Sequence, residues 1–310
     1  MTSAVVFAYH NVGVACLEVL LAHGVNVPLV VTHVDSPKET IWFHSVARLA
    51  EQRGIPIVTP DDANTDVLIE QLRAHSPDFI FSFYYRHMLK SAVLATARRG
   101  AFNMHGSLLP KYRGRVPINW AIIKGETETG ATLHEMVEKP DAGRIVGQQV
   151  VTIGPDETAE EVFGKVTTAA ATVLDAALPR LIAGTAVLET QDLSTGSYFG
   201  GRHPEDGVID WSAPAQSIHN LVRAVAPPYP GATTSINGEL VKITKTRRMS
   251  PVLSHANPAH VNVANDKVIA LCGNGTMLRI LEAEIDGQPH NELMLAVRLG
   301  TGVHELGSPR

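Results

Sequence analysis

The chain has 310 residues, 45% of them apolar and 18% charged, and 26 Lys and Arg against 31 Asp and Glu set its formal charge at -5. This describes about two globular domains, excludes a disordered chain and, with no unbroken apolar run near the ~18–20 residues a span needs, argues against a membrane protein. Cys16 and Cys272 form no Cys-x-x-Cys and no basic leader opens the chain, so neither a disulfide framework nor a secretory signal is indicated and a reducing cytoplasm is the expected location.

Through about residue 185, β-rich runs alternate with helix-period segments, the pattern of a parallel sheet covered by helices. Residues 4–8 read as the first strand, and Leu17, Leu20 and Leu21 form a helical face ending at Gly24. Residues 25–33 predict a second strand, 42–53 a helix closed by Gly54, 55–59 a short strand, and 64–75 a helix with Val67, Leu68 and Leu72 on one face. Buried strands are expected at 78–83 and 100–104, with a helical stretch around 88–98 between them. The longest helix is predicted over 158–183, opened by a Thr158/Glu161 capping box and carrying Pro179 near its end.

Residues 194–207 are rich in turn formers and read as an interdomain connection. A helix over 215–225 then precedes β patterning. Residues 232–236 and 239–246 flank Asn237-Gly238, a type I′ hairpin signal, and 267–272 and 277–284 suggest a second hairpin around Gly273-Asn274-Gly275.

Several chemistries lack their motif. The turn after the first strand reads Tyr9-His10-Asn11-Val12-Gly13 instead of Gly-x-Gly-x-x-Gly, and no P-loop, His-Glu-x-x-His or Gly-x-Ser-x-Gly is present. His10, His33, His44 and His75 fall in no ligand pattern, so no metal is expected.

The informative segment runs from Asn103 to Arg115. Asn103 and His105, two apart at the end of a predicted parallel strand, point the same way and face the usual ligand crevice. An amide donor beside an imidazole is a minimum kit for acyl transfer, since one stabilises an oxyanion while the other manages a proton. Spacing alone also allows that the two residues merely end a strand.

Asn103-x-His105-x-Ser107-Leu108-Leu109-Pro110, then Tyr112-Arg113-Gly114, then Asp141-Ala142-Gly143, resembles the signature of the 10-formyltetrahydrofolate-dependent formyltransferases. The resemblance covers nearly the whole chain. It implies an α/β fold with a Rossmann-like, mostly parallel sheet and helices on both faces in a catalytic domain of residues 1–200, and a smaller OB-like β-barrel domain at 201–310. Residues 5–10, 81–87, 105–115 and 125–130 are similar to the branch of the family that formylates UDP-4-amino-4-deoxy-L-arabinose for lipid A modification. Members of that branch carry a fused decarboxylating dehydrogenase, which a sequence of 310 residues is expected to lack, leaving that step to a separate dehydrogenase partner. A monomer or homodimer is expected.

The resemblance implies a catalytic set of Asn103, His105 and Asp141: Asn103 steadies the oxyanion, His105 handles the proton and Asp141 sets the protonation of His105. The residues alone also permit Asp141 to be a turn former beside Gly143. For the folate co-substrate, the family implies contacts from the main chain of His87, Met88 and Leu89, the Arg115 side chain, and the loop Val137, Glu138, Lys139, Pro140, Asp141. That loop departs from the usual pattern at Glu138-Lys139-Pro140, and Pro140 has no N–H to donate.

For the sugar nucleotide, Lys111, Tyr112 and Arg113 offer cations for a diphosphate and an aromatic for a base or sugar, with loop packing as the alternative. Tyr229, in Ala226-Pro227-Pro228-Tyr229-Pro230-Gly231, offers an aromatic platform or a rigid turn. The related methionyl-tRNA formyltransferases share donor and motif, but a tRNA partner calls for basic surface. From residue 204 onward there are nine Lys and Arg against ten Asp and Glu, and residues 35–41 hold one base, Lys38. No nucleic acid partner is therefore expected. Another nucleotide-linked amino sugar and a non-catalytic folate-binding module stand as alternatives.

Overall fold

The computed structural model describes residues 1–37, 39–249 and 258–308; Lys38 lies outside them. Strand β1 (Ala4–Ala8) is buried along its whole length, as is β4 (Phe79–Phe83) beside it. Continuous apolar runs of this kind suit central parallel strands covered on both faces. Between them come α1 (His10–Ala22), β2 (Val30–Val31), α2 (Val46–Gln52), β3 (Ile57–Val58) and α3 (Asp66–His75). After β4 follow α4 (Ser91–Leu94), β5 (Gly100–His105), β6 (Arg113–Gly114), α5 (Pro117–Ile123), β7 (Glu128–Glu135), β8 (Ile145–Thr152), α6 (Ala159–Ala183) and β9 (Tyr198–Phe199).

The main sheet has the order β3-β2-β1-β4-β5-β7-β8. Its first five strands are parallel, while β7 runs antiparallel to β5 and β8 antiparallel to β7. This is the Rossmann-like α/β fold expected, with an antiparallel extension. One core cluster gathers Val5, Phe7, Leu29, Val31 and Ile80 with Leu68, Ile69 and Leu72 of α3. Burying each such side chain stabilises by roughly 1.5–3 kcal/mol.

Several elements are shorter than their sequence patterns. The strand expected over 25–33 reduces to two residues, because Pro28 has no N–H for a ladder. The helix expected from residue 42 begins at Val46, where the Ser45 hydroxyl accepts from the Arg48 N–H. Val67 is 81% exposed, so the buried face of α3 is Leu68, Ile69 and Leu72 instead. The stretch at 88–98 holds only a four-residue helix, since the Asn64 side chain binds the Met88 carbonyl and the Lys90 N–H and so occupies the backbone before it.

Sequence patterning gave no sign of α5, β7 and β8. Strand β7 buries Thr129, Thr132 and His134 along with Ala131 and Leu133, which erases the apolar alternation that marks a half-buried strand. The expectation that no stretch approaches membrane-spanning length also needs correction. Helix α6, of 25 residues, is long and apolar enough to cross a membrane, although 44% of its most apolar window is buried within the protein. Its capping box forms as expected, with the Thr158 N–H donating to Glu161 at 2.7 Å and the Glu161 N–H to the Thr158 hydroxyl at 3.3 Å.

Residues 1–117, 128–152 and 163–200 form one compact unit, and residues 118–127, 153–162 and 201–310 the other. The second unit contains α7 (Ala215–Val225), β10 (Ala232–Ile236), β11 (Glu239–Arg248), β12 (His260–Ala264), β13 (Lys267–Leu271), β14 (Met277–Ile285), β15 (Gln288–Asn291), α8 (Glu292–Leu299) and β16 (Gly302–Gly307). Pairing of β11 with β14 closes β11-β10-β16-β12-β13-β14 into a six-stranded barrel consistent with an OB-like domain. Both expected hairpins form, and Asn237 and Gly238 adopt φ of 53° and 82°, as a type I′ turn requires.

Candidate active site

Strand β5 positions the first two candidates. Phe102 packs near Phe79 and Phe81, so alternation along the strand directs Asn103 and His105 to the opposite face. Beyond His105 the chain folds back on itself. Thr132, opposite His105 on β7, donates to the Ser107 carbonyl at 2.6 Å and accepts from the Leu109 N–H at 3.3 Å. The Ser107 hydroxyl donates to the Lys111 carbonyl at 2.7 Å. The returning loop brings the Tyr112 carbonyl within 2.8 Å of His105 Nε2, which donates to it.

That bond leaves Nδ1 as the nitrogen at which His105 gains or loses a proton. Nδ1 lies 3.6 Å from Asp141 Oδ1. Asp141 Oδ2 accepts the Gly114 N–H at 2.8 Å, which ties the two motif segments together. Burial alone would raise the Asp141 carboxyl, but the neighbouring imidazoles of His105 and His134 and the Gly114 N–H outweigh it and hold it well below the usual carboxylate range. Asp141 is thus a fixed negative charge beside the imidazole. Its loop is clamped by Gln191, whose amide donates to the carbonyls of Asp141 at 3.0 Å and Gly143 at 2.5 Å. A side chain at Gly143 would meet the Glu135 carbonyl oxygen at 1.9 Å, which accounts for glycine there.

The structure therefore brings Asn103, His105 and Asp141 together and adds His134, which motif reading missed. His134 Nε2 lies 3.1 Å from Asn103 Nδ2 and 3.5 Å from Asp141 Oδ1, with the ring 2% exposed. Its position seven residues before Asp141 carries no signal, because only the β5/β7 register places it opposite Asn103.

The remaining candidates are spread over the same unit, apart from Tyr229. His87 and Met88 are exposed and Leu89 is buried in the segment after β4. Arg115 is exposed, and its N–H donates to the Phe199 carbonyl at 2.9 Å. Val137, Glu138 and Lys139 are exposed and Pro140 is half-buried, in a turn closed by the Ala142 N–H on the Lys139 carbonyl at 3.3 Å. Lys111 is exposed. Tyr112 is buried and stacks on Phe199 with centroids 5.3 Å apart, which favours the packing reading of that ring. Arg113 was expected on a loop but lies buried in β6, paired with β9, and its Nε has no partner among the described residues. Tyr229 belongs to the second unit, where burial pushes its phenol up to about 12 against a hydrogen bond with Asn119. Among the described residues no group of three or more His, Cys, Asp or Glu side chains is disposed to hold a metal ion.

An amide and an imidazole at the C-terminal end of a parallel strand, with a half-buried carboxylate beside the imidazole, are the groups that acyl transfer calls for, here on a Rossmann-like sheet. The chain belongs to the formyl transferase family: residues 11–178 match the model of the Formyl transferase domain and residues 202–292 that of the Formyl transferase C-terminal domain. Among solved structures it is similar to the N-formyltransferase of Helicobacter canadensis complexed with folinic acid and dTDP-3-aminofucose, at 22% identity and a TM-score of 0.72, over 90% of this chain and 99% of that one. A sugar 3N-formyl transferase, WlaRD, crystallised with dTDP and 5-N-formyl-THF, matches at 21% identity and a TM-score of 0.70, over 90% of this chain and 97% of the other. A sugar N-formyltransferase from a Shewanella species matches at 16% identity and a TM-score of 0.60, over 75% and 92% of the two chains.

Proposed function

We propose that this formyltransferase moves a formyl group from 10-formyltetrahydrofolate to the amine of a nucleotide-linked amino sugar, with the 4-amino group of UDP-4-amino-4-deoxy-L-arabinose as the acceptor, in a reducing cytoplasm. The observation that carries the chemistry is the convergence of Asn103, His105 and ionised Asp141 within one partly buried cluster. The sugar acceptor is supported by the folds it resembles, whose bound ligands include dTDP-3-aminofucose and folate derivatives. The arabinose acceptor rests on the similarity of residues 5–10, 81–87, 105–115 and 125–130 to that branch.

In this reading the unprotonated amine attacks the formyl carbon and a C–N bond forms. Asn103 donates an N–H to the oxygen as it gains charge. His105, neutral at the outset, takes the proton from the attacking nitrogen and delivers it to the departing folate nitrogen, whose bond to carbon then breaks as the carbonyl reforms. Asp141 stabilises the imidazolium between the two transfers. Arg115 and the main chain of residues 87–89 and 137–141 hold the folate, and Lys111 and Arg113 bring positive charge toward the diphosphate.

Incubation of the purified protein with 10-formyltetrahydrofolate and, separately, UDP-4-amino-4-deoxy-L-arabinose, dTDP-3-aminofucose and methionyl-tRNA tests this by product mass. Formylation of the first supports the full reading. Formylation of the second alone replaces the acceptor, and formylation of tRNA alone overturns the sugar assignment. Folate binding without turnover of any acceptor favours a non-catalytic module.

A further inference from the structure

Asn103 and His134 occupy directly paired positions of β5 and β7. We propose that His134 is a positioning residue that selects which end of the Asn103 amide faces the reacting carbonyl, an inference that rests on the formyl-transfer reading.

The argument starts at the far side of the ring. His134 Nδ1 lies 2.9 Å from the Glu135 carbonyl, which can only accept, so Nδ1 carries the hydrogen. A neutral imidazole then has its lone pair on Nε2. Asn103 Nδ2 stands 3.1 Å from that nitrogen and donates to it. One amide hydrogen is spent on the ring, and the second remains for an oxyanion. Of the two groups facing Nε2, the amide is the nearer, at 3.1 Å against 3.5 Å for Asp141 Oδ1.

The two ends of an asparagine amide are nearly identical in shape, so packing alone does not choose between them. Rotation by a half-turn would present Oδ1, whose lone pairs repel a developing negative charge. An acceptor buried at 2% exposure resists that rotation, since turning the amide would set oxygen against a bare lone pair with no water to compensate. Catalysis by preorganised donors depends on such restraint, because a donor that must reorient during the reaction loses much of its effect.

The test uses His134→Phe, a ring without acceptors, and His134→Gln, whose Oε1 can accept, assayed with 10-formyltetrahydrofolate and either UDP-4-amino-4-deoxy-L-arabinose or dTDP-3-aminofucose. His134→Phe is expected to lower kcat about 10–100-fold with both KM values within about twofold, and His134→Gln to recover much of the loss. In an Asn103→Ala background the same His134→Phe change is expected to cost less than about twofold, because its partner is already gone. Equal losses in both backgrounds, or unchanged kcat in a folded His134→Phe protein, would overturn the proposal. A long-range proton–nitrogen NMR correlation on the unsubstituted protein near about pH 7 decides independently of folding or acceptor. Hydrogen on Nδ1 alone is expected, and an Nε2–H tautomer overturns the proposal. Failure of the unsubstituted protein to formylate any acceptor would instead count against the proposed function, with the NMR result still deciding the role of His134.

Discussion

The side chain of Gln191 holds the main chain of Asp141 in place, donating to its carbonyl at 3.0 Å while also binding the carbonyl of Gly143. Asp141 itself sits at a φ of 52°, a left-handed conformation that aspartate tolerates better than most residues but that still needs support from its surroundings. The charge beside His105 is therefore set by a residue fifty positions further along the chain. Gln191→Leu is expected to remove both bonds, destabilise by about 1–3 kcal/mol and lower turnover. Gln191→Glu should be worse at neutral pH, since a carboxylate would face two carbonyl oxygens. Urea unfolding and steady-state kinetics on the two variants check the order.

Asn103→Ala and His105→Ala are expected to fold and to lose turnover by at least about 10²–10³, the usual cost of one oxyanion donor or one proton-transfer group. The measurement is kcat with thermal unfolding as the control. Near-normal formylation by either variant would remove these residues from the mechanism.

Asp141→Asn should lower kcat by roughly 10²-fold or more while keeping an acceptor for the Gly114 N–H. The stability effect has a definite sign. The folded carboxyl titrates well below the unfolded value of about 3.9, so its contribution is fully present above that pH and is lost as the pH falls through the folded value. The stability gap between the unsubstituted protein and Asp141→Asn should be widest near neutrality and close in strong acid, as read from urea midpoints across pH.

Two other imidazoles are expected to make the protein acid-labile. Burial, with the Arg86 cation adding to it, pushes His10 down to about 3. Burial, then His87 and Arg86, pushes His33 down to about 4. Both rings accept backbone N–H groups, from Asn11 at 2.9 Å and Arg86 at 3.1 Å, and protonation would break those bonds. The unfolded chain binds these protons near pH 6.5, so stability is full above that value and falls as the pH drops toward the folded values. His10→Asn, which suits the φ of 66° there, combined with His33→Gln should flatten the loss of stability between about pH 6.5 and 4, even if the variant is weaker at neutrality.

The linear sequence was enough for the motif residues and for elements whose signals are local. The central strands are continuous apolar runs, the Thr158/Glu161 box is a four-residue pattern, and the Asn237-Gly238 hairpin needs only its turn and flanks. Asn103 and His105 share a face because a strand alternates, which follows from two-residue spacing alone.

Tertiary structure decided what surrounds them. Strand β7 buries Thr129, Thr132 and His134, so it lacks the apolar alternation by which a strand is recognised, and its pairing with β5 is a long-range choice of register that no local pattern encodes. That register alone sets His134 against Asn103. Likewise, neither the clamp of Gln191 on the Asp141 loop nor the return of the Tyr112 carbonyl to His105 is visible in the sequence. The chemistry-bearing residues are written in short motifs, whereas the hydrogen bonds that orient them come from distant strands and loops brought together only when the sheet forms.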